Sequence, residues 1–181
     1  MMFALFDFET TGLPLHRRAS VNKQPKAIEF GGILTDGVRI IEELNVLINP
    51  NMPLESVITR ITGITDEMLE GEPTFPAHVE SIGDFFGKAD AVMSHNLSFD
   101  KFIAECEMSR IDEHLGRINW PALEICSVEE TRHLYGFNMK LEKLYEIYVG
   151  PLVQTHRASD DCKMLFEVAK ATGIFRAWGA K

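Results

Sequence analysis

Apolar and polar positions divide the chain into short runs of two kinds. Residues 3–9 form an apolar run that ends on polar side chains, the pattern of a buried strand. Residues 27–35 and 39–48 read as two more strands joined by Asp36-Gly37, a hairpin signal, and Asn49-Pro50 with Met52-Pro53 ends the second. Residues 13–26, between the first two strands, are polar and punctuated by prolines, which predicts a loop. The period then changes. A short helix is expected over 65–69 with Thr65 as its cap. Over 76–86, Val79, Ile82, Phe85 and Phe86 recur at helical spacing. Short strands are expected at 91–94 and 123–126, and helices at 98–108, capped by Ser98, at 128–135 and at 141–149. A last helix over 159–172 carries Cys162, Leu165, Phe166 and Ala169 on one face, and Gly173 stops it. Three strands followed by strands mixed with helices predict an α/β layered domain with a mixed sheet.

No repeat, low-complexity tract or linker interrupts the 181 residues, so one domain is expected over 1–175, with a short C-terminal tail at 176–181. Apolar residues make up 45% and charged residues 25%, as in soluble globular proteins. The apolar runs are too short to span a bilayer. The first six residues lack the basic flank and cleavage site of a signal peptide. A cytoplasmic location without membrane association is therefore expected. Cys106, Cys126 and Cys162 form no C-x-x-C pair, so inert, partly buried thiols are expected rather than a zinc or redox motif.

The net charge of −9 argues against broad binding of nucleic acid through a basic surface. It does not exclude a nuclease, because metal-binding carboxylates carry much negative charge and bound cations invert the local sign. The charge is also uneven: residues 14–28 hold Arg17, Arg18, Lys23 and Lys26 and no acid.

Three chain positions hold the candidate chemistry. Asp7 and Glu9 lie at the end of the first strand and point to the same face, with Phe6 and Phe8 on the other. Two carboxylates on so apolar a strand are costly unless a cation compensates them; the plainer reading is a strand running out into solvent. His95-Asn96-Leu97-Ser98-Phe99-Asp100 follows a short strand and puts Asp100 in a first helical turn, where the dipole favours an acid with or without a function. His156 lies just before the last helix and Asp161 in its early turns, so a loop histidine and a helical carboxylate can converge; alone, each also reads as a surface group.

Together these residues resemble the DEDDh exonucleases, whose signature is three acidic motifs with a histidine in the last. Asp7-Phe8-Glu9-Thr10-Thr11-Gly12 matches the first motif and His95-Asn96-x-x-Phe99-Asp100 the second. His156, followed five residues later by Asp161, matches the third, and Ile61-Thr62-Gly63-Ile64-Thr65 resembles a segment found between the first two. The matches span roughly residues 2–172. The resemblance implies a ribonuclease-H-like mixed β-sheet flanked by helices on both faces, and hydrolysis from a 3′ end with release of nucleoside 5′-monophosphates. It implies two divalent cations, Mg²⁺ or Mn²⁺, on Asp7, Glu9, Asp100 and Asp161, with His156 as the general base.

The Glu-Thr-Thr-Gly form is more similar to proofreading exonucleases of replicative polymerases than to oligoribonuclease. Proofreading members often carry a histidine where Thr62 stands, so contacts to the terminal nucleotide are expected to differ here. Candidate substrate contacts are Thr10, Thr11, Gly12, Thr62, His95, Asn96 and Phe99, with Arg17 and Arg18 guiding a strand; the plainer readings are a turn that needs Gly12, a core position for Phe99, which is the favoured one, and a solvated loop around the arginines. The expected partner is the 3′ end of nucleic acid, single-stranded DNA preferred; a polymerase or repair partner is not readable. An RNA-directed or oligoribonuclease-like enzyme is the alternative, since 2′-OH contacts decide it and no residue declares them. A non-catalytic accessory subunit is the alternative from another class.

Overall fold

The structure, a computed structural model, describes residues 1–151 and 157–180. Five strands, β1 (Phe3–Thr10), β2 (Ala27–Thr35), β3 (Ile40–Leu47), β4 (Ala91–Ser94) and β5 (Leu123–Cys126), form one sheet in the order β3-β2-β1-β4-β5. The three N-terminal strands pair antiparallel, while β4 pairs parallel with β1 and β5 parallel with β4. The sheet is therefore mixed, as expected. At the hairpin between β2 and β3, Asp36 Oδ1 accepts from the backbone N–H of Val38 and Arg39, and Gly37 takes a left-handed φ of 87°.

Helices cover both faces because side chains alternate along β1. Ala4, Phe6 and Phe8 enter a core with α3 (Phe75–Phe86) and α4 (Leu97–Ser109). The rings of Phe6 and Phe86 meet edge-to-face at 5.3 Å, and Trp120 packs on both. Phe3 and Leu5 enter the opposite core with α6 (Leu141–Tyr148), α7 (Ala158–Thr172) and α8 (Ile174–Ala177). Strand β2 is buried along its whole length, as a strand covered on both faces must be.

Three local expectations are corrected. Ser98 does not cap α4; the helix begins at Leu97, and Asn96 caps it in left-handed backbone, φ 74° and ψ 54°, a conformation Asn tolerates. Helix α1 (Ser56–Thr62) was not expected, because SVITRIT is rich in β-branched residues of low helix propensity. Gly63, at φ 71°, ends it, and Thr65 then caps α2 (Asp66–Leu69) by accepting from Met68 N–H. Helix α8 is the third; Gly173 ends α7 and turns the chain directly into it. Helix α5 (Ser127–Tyr135) lies where a helix was expected. Cys106, Cys126 and Cys162 are free, the first and last buried. Among the described residues no helix is long and apolar enough to cross a membrane.

Candidate active site

Asp7 and Glu9 leave β1 on the face that packs against α7, because they share the parity of Phe3 and Leu5. The first turn of α7 brings Asp161 to the same place. One oxygen from each of Asp7, Glu9 and Asp161 lies within 4.8 Å of the others, close enough to share one ion. Asp100 comes from the other side. Strands β1 and β4 stay in register only from Phe3 to Leu5, against Ala91 to Met93. Beyond that point the N–H of Phe8 donates to Asp100 Oδ1 at 3.2 Å, while Ser94 Oγ donates to Oδ2 at 2.9 Å. The start of α4 thus fills the gap where the parallel pairing stops. All four acids assigned to the metal site occupy one region, three of them as an immediate cluster.

The cluster is electrostatically incomplete by itself. Burial, then the charges of Asp100, Glu9, Asp161 and Glu29, hold Asp7 well above the ordinary carboxylate range. Burial and the neighbouring acids push Glu9 up to about 8, only partly opposed by Arg157. Burial raises Asp100 to about 7 against the lowering effect of its bonds from Ser94 and Phe8. Burial, followed by the charge of Glu142, raises Asp161 to about 7. Four carboxyls resisting ionisation near neutral pH, three within reach of one ion, suit a hard divalent cation, which prefers oxygen ligands and supplies the missing charge.

Asp7, Glu9 and Asp161 open onto a cleft of about 840 Å³. Its lining includes Phe8, Phe99 and the turn Thr10-Thr11-Gly12. The turn is knitted shut: Thr10 Oγ1 donates to Gly12 O at 2.7 Å, and Thr11 exchanges bonds with the backbone of Lys26. A Cβ added at Gly12 would meet nothing within 4 Å, so this stretch of backbone is open to a ligand. An apolar part of the wall includes Leu13, Leu15, Met52, Val57, Ile58 and Ile61. Leu13, Leu15, Met52 and Ile61 are half-exposed or more. Sequence reading missed this wall because it joins a loop to the unexpected α1. The signal was present, since Val57, Ile58 and Ile61 share one helical face.

The remaining predicted contacts divide. Thr62 lines the cleft, but its buried hydroxyl donates to Ile58 O and accepts from Ile64 N–H. His95 and Asn96 lie outside the cleft lining. The His95 ring bridges Ser127 Oγ at 2.8 Å and Met139 O at 3.0 Å, and burial lowers its pKa. Asn96 accepts from Ser98 Oγ. Arg17 stacks over Phe102 at 5.2 Å and Arg18 is exposed; neither lines the cleft, whereas Lys23 and Lys26 do. His156 lies outside the described residues.

An exonuclease family model, RNase_T, matches residues 5–169. The chain belongs to this exonuclease family. It is 32% identical over 173 residues to a DNA polymerase III PolC-type protein of Halalkalibacterium halodurans, covering 94% of this chain and 11% of that protein. It is 30% identical over 165 residues to the 3′-5′ exonuclease DinG of Bacillus subtilis, covering 90% of this chain and 16% of that protein. The chain thus spans between a tenth and a sixth of the length of these relatives. Among solved structures, the nuclease domain of 3′hExo, a DEDDh family member bound to rAMP, superposes with a TM-score of 0.74 at 17% identity, over 99% of this chain and 93% of that one. A zinc-bound complex of E. coli ExoI with single-stranded DNA gives 0.78 at 19% identity, over 97% and 41%. The fold is ribonuclease-H-like, as the three motifs implied.

Proposed function

We propose that this chain is a metal-dependent 3′–5′ exonuclease acting on single-stranded DNA and releasing nucleoside 5′-monophosphates. The observation that carries the reading is the convergence of Asp7, Glu9 and Asp161, with Asp100 behind them, at the end of an apolar-walled cleft. Membership of the exonuclease family and the likeness to DinG support it.

Asp7, Glu9, Asp100 and Asp161 would hold divalent cations, Mg²⁺ or Mn²⁺. When bound, such ions supply Lewis-acid polarisation of a phosphate and charge stabilisation at the leaving oxygen. The chain's own groups do the rest. The Thr10-Thr11-Gly12 turn presents backbone to the terminal sugar. The wall of Leu13, Met52 and Ile61 takes unpaired bases, which offer apolar faces that a duplex hides in its stack. Lys23 meets the backbone phosphates, while the Lys26 ammonium, which donates to Pro50 O, adds positive charge to the lining. His156, the base of the family motif, accepts the proton of the attacking water.

The test uses linear and circular single-stranded DNA, blunt duplex and RNA, each labelled, with Mg²⁺ or in excess chelator. Linear single strands are expected to shorten from the 3′ end, yielding mononucleotides, only with metal. Cleavage of the circle, or full activity in chelator, would overturn the reading; faster loss of RNA than of DNA would move its substrate to RNA.

A further inference from the structure

Glu29 is a fifth acid beside the site. It stands on β2 directly opposite Glu9 and is wholly buried. Its carboxylate faces cationic and N–H donors rather than the cleft. Asn45 Nδ2 donates to Oε1 at 3.1 Å, and Arg157 Nε donates to both oxygens at 3.1 and 3.0 Å. Arg157 Nη2 donates to Oε1, and the N–H of Ala158 donates to Oε2 at 3.0 Å. Burying a carboxylate is costly unless it is so paired and hydrogen-bonded. This pairing also removes Glu29 from the acids available to a cation.

The partner's position gives the pair its meaning. Arg157 is the N-cap of α7, with extended backbone at φ −120° and ψ 136°. Its carbonyl accepts from the N–H of Asp160 at 2.9 Å and of Asp161 at 3.0 Å. One residue therefore grips β2 with its side chain and holds the backbone of Asp161 with its carbonyl. The same end of the helix lies unusually close to the sheet. A Cβ added at Gly31 would sit 2.4 Å from the carbonyl carbon of Ala158. Cys162 Sγ also donates to Gly31 O at 3.3 Å. Strand β2 lies next to β1, which bears Asp7 and Glu9, so the grip on β2 fixes α7 relative to those acids.

We propose that Glu29 and Arg157 are positioning residues of the active site: their ion pair sets α7 where Asp161 can share a cation with Asp7 and Glu9. The inference rests on the metal-dependent reading above. A purely structural pair would contribute stability without affecting metal affinity. Outer groups that orient metal ligands typically change affinity about 10–100-fold when lost.

The experiment compares wild type with Glu29→Gln, Arg157→Lys, Arg157→Met and the double variant Glu29→Gln/Arg157→Met. Mn²⁺ affinity is measured by calorimetric titration without nucleic acid, beside Tm, kcat and KM. The single variants are expected to weaken Mn²⁺ binding about 10–100-fold. They should lower kcat while KM for the oligonucleotide stays within about twofold, because the cleft wall is untouched. Arg157→Lys keeps the charge but loses the fork, and should recover part of the affinity. The double variant leaves no unpaired buried charge, so it keeps the fold, and it should bind Mn²⁺ no worse than the poorer single variant. Ile82→Val, in the opposite core, should lower Tm and leave Mn²⁺ affinity unchanged. Folded Glu29 and Arg157 variants, the double included, that lose Tm but keep wild-type Mn²⁺ affinity would overturn the inference. A wild type that binds no Mn²⁺ would overturn the metal-dependent reading as well, and so is told apart from failure of the positioning role alone.

Discussion

Glu9 and Glu29 face each other across the β1–β2 ladder in different surroundings. Glu9 opens onto the cleft and is pushed up to about 8 by burial and by its acidic neighbours. Glu29 is enclosed and held by Arg157, Asn45 and the N–H of Ala158. Arg157 pairs directly with Glu29 and only partly offsets the acids around Glu9. That difference is the physical basis for placing the cation at Glu9 and not at Glu29, and most of the expectations below follow from it.

Removing a cluster acid should remove both metal binding and turnover. Asp7→Asn and Asp161→Asn each keep shape but withdraw a charged ligand atom. Each is expected to lower kcat by at least the range usual for a lost catalytic group, about 10²–10⁴-fold. Each should also abolish most of the rise in Tm that Mn²⁺ gives wild type, since only ligands of the folded state raise Tm. Thermal melts with and without Mn²⁺, beside single-turnover assays, check both effects. A variant with wild-type stabilisation by Mn²⁺ would remove that acid from the site.

The pH dependence of the metal-free protein has a definite sign. Glu9 is raised from 4.5 to about 8, and Asp100 and Asp161 from 3.8 to about 7. Between the lower and upper values the folded chain binds more protons than the unfolded one. Unfolding free energy therefore falls as pH rises through that window. In chelator, Tm is expected to drop between pH 5 and pH 8. Saturating Mg²⁺ should flatten the drop, because the cation replaces the protons. Scanning calorimetry at several pH values measures it, and a Tm that climbs from pH 5 to 8 in chelator would contradict the account.

The apolar wall should serve substrate and not the fold. Met52 and Ile61 are half-exposed, so serine at either position should change stability by less than about 0.5 kcal/mol. Loss of buried CH₂ contact, about 0.8 kcal/mol each, predicts KM for a single-stranded oligonucleotide raised several-fold with little change in kcat. Steady-state kinetics on an end-labelled strand decide it. Equal KM values would mean that the bases bypass the wall.

The sheet was legible because it rests on local pattern. Alternation along β1 fixed which residues share a face, so Asp7 and Glu9 could be paired; Asp100 was placed in a first turn through a cap at Ser98 that the structure moves to Asn96, and the family resemblance, not local pattern, joined the acids into one site. What sequence missed depends on distance or on weak local signals. Glu29 and Arg157 are 128 positions apart, and neither residue type announces a partner. Helix α1 is seven residues long and β-branched, so tertiary packing overrides propensity there. His95 looked like a substrate contact from its place in a motif, yet its ring ties β4 to α5 and to Met139. The proton-accepting role of His156 is predicted from the motif alone: His156→Ala should cut kcat about 10²–10⁴-fold while leaving Mn²⁺ affinity intact. Parallel kinetics and titration test it, and equal losses of both would make it a ligand instead.

Gly31 tests how finely the helix must be seated. It is a β2 residue paired with Asp7, and its missing side chain leaves room for the first turn of α7. In Gly31→Ala the new Cβ would lie 2.4 Å from Ala158 C and 2.5 Å from Ser159 N, both backbone atoms that no side-chain rotation can move aside. The helix must shift outward, and overpacking of this kind typically costs about 1–3 kcal/mol. An outward shift carries Asp161 away from Asp7 and Glu9, so stability and Mn²⁺ affinity should fall together. Gly32 is the matched control. Its added Cβ would meet the buried ring of Phe85 at 2.6 Å on the opposite face, where a side chain rather than the backbone of α7 must shift and no acid is displaced. Gly32→Ala should lower Tm without weakening Mn²⁺ binding. Calorimetric titration of both variants at a temperature where each is folded separates the outcomes. If Gly31→Ala binds Mn²⁺ as wild type does, the close approach of α7 to β2 is a packing feature and does not set the metal site.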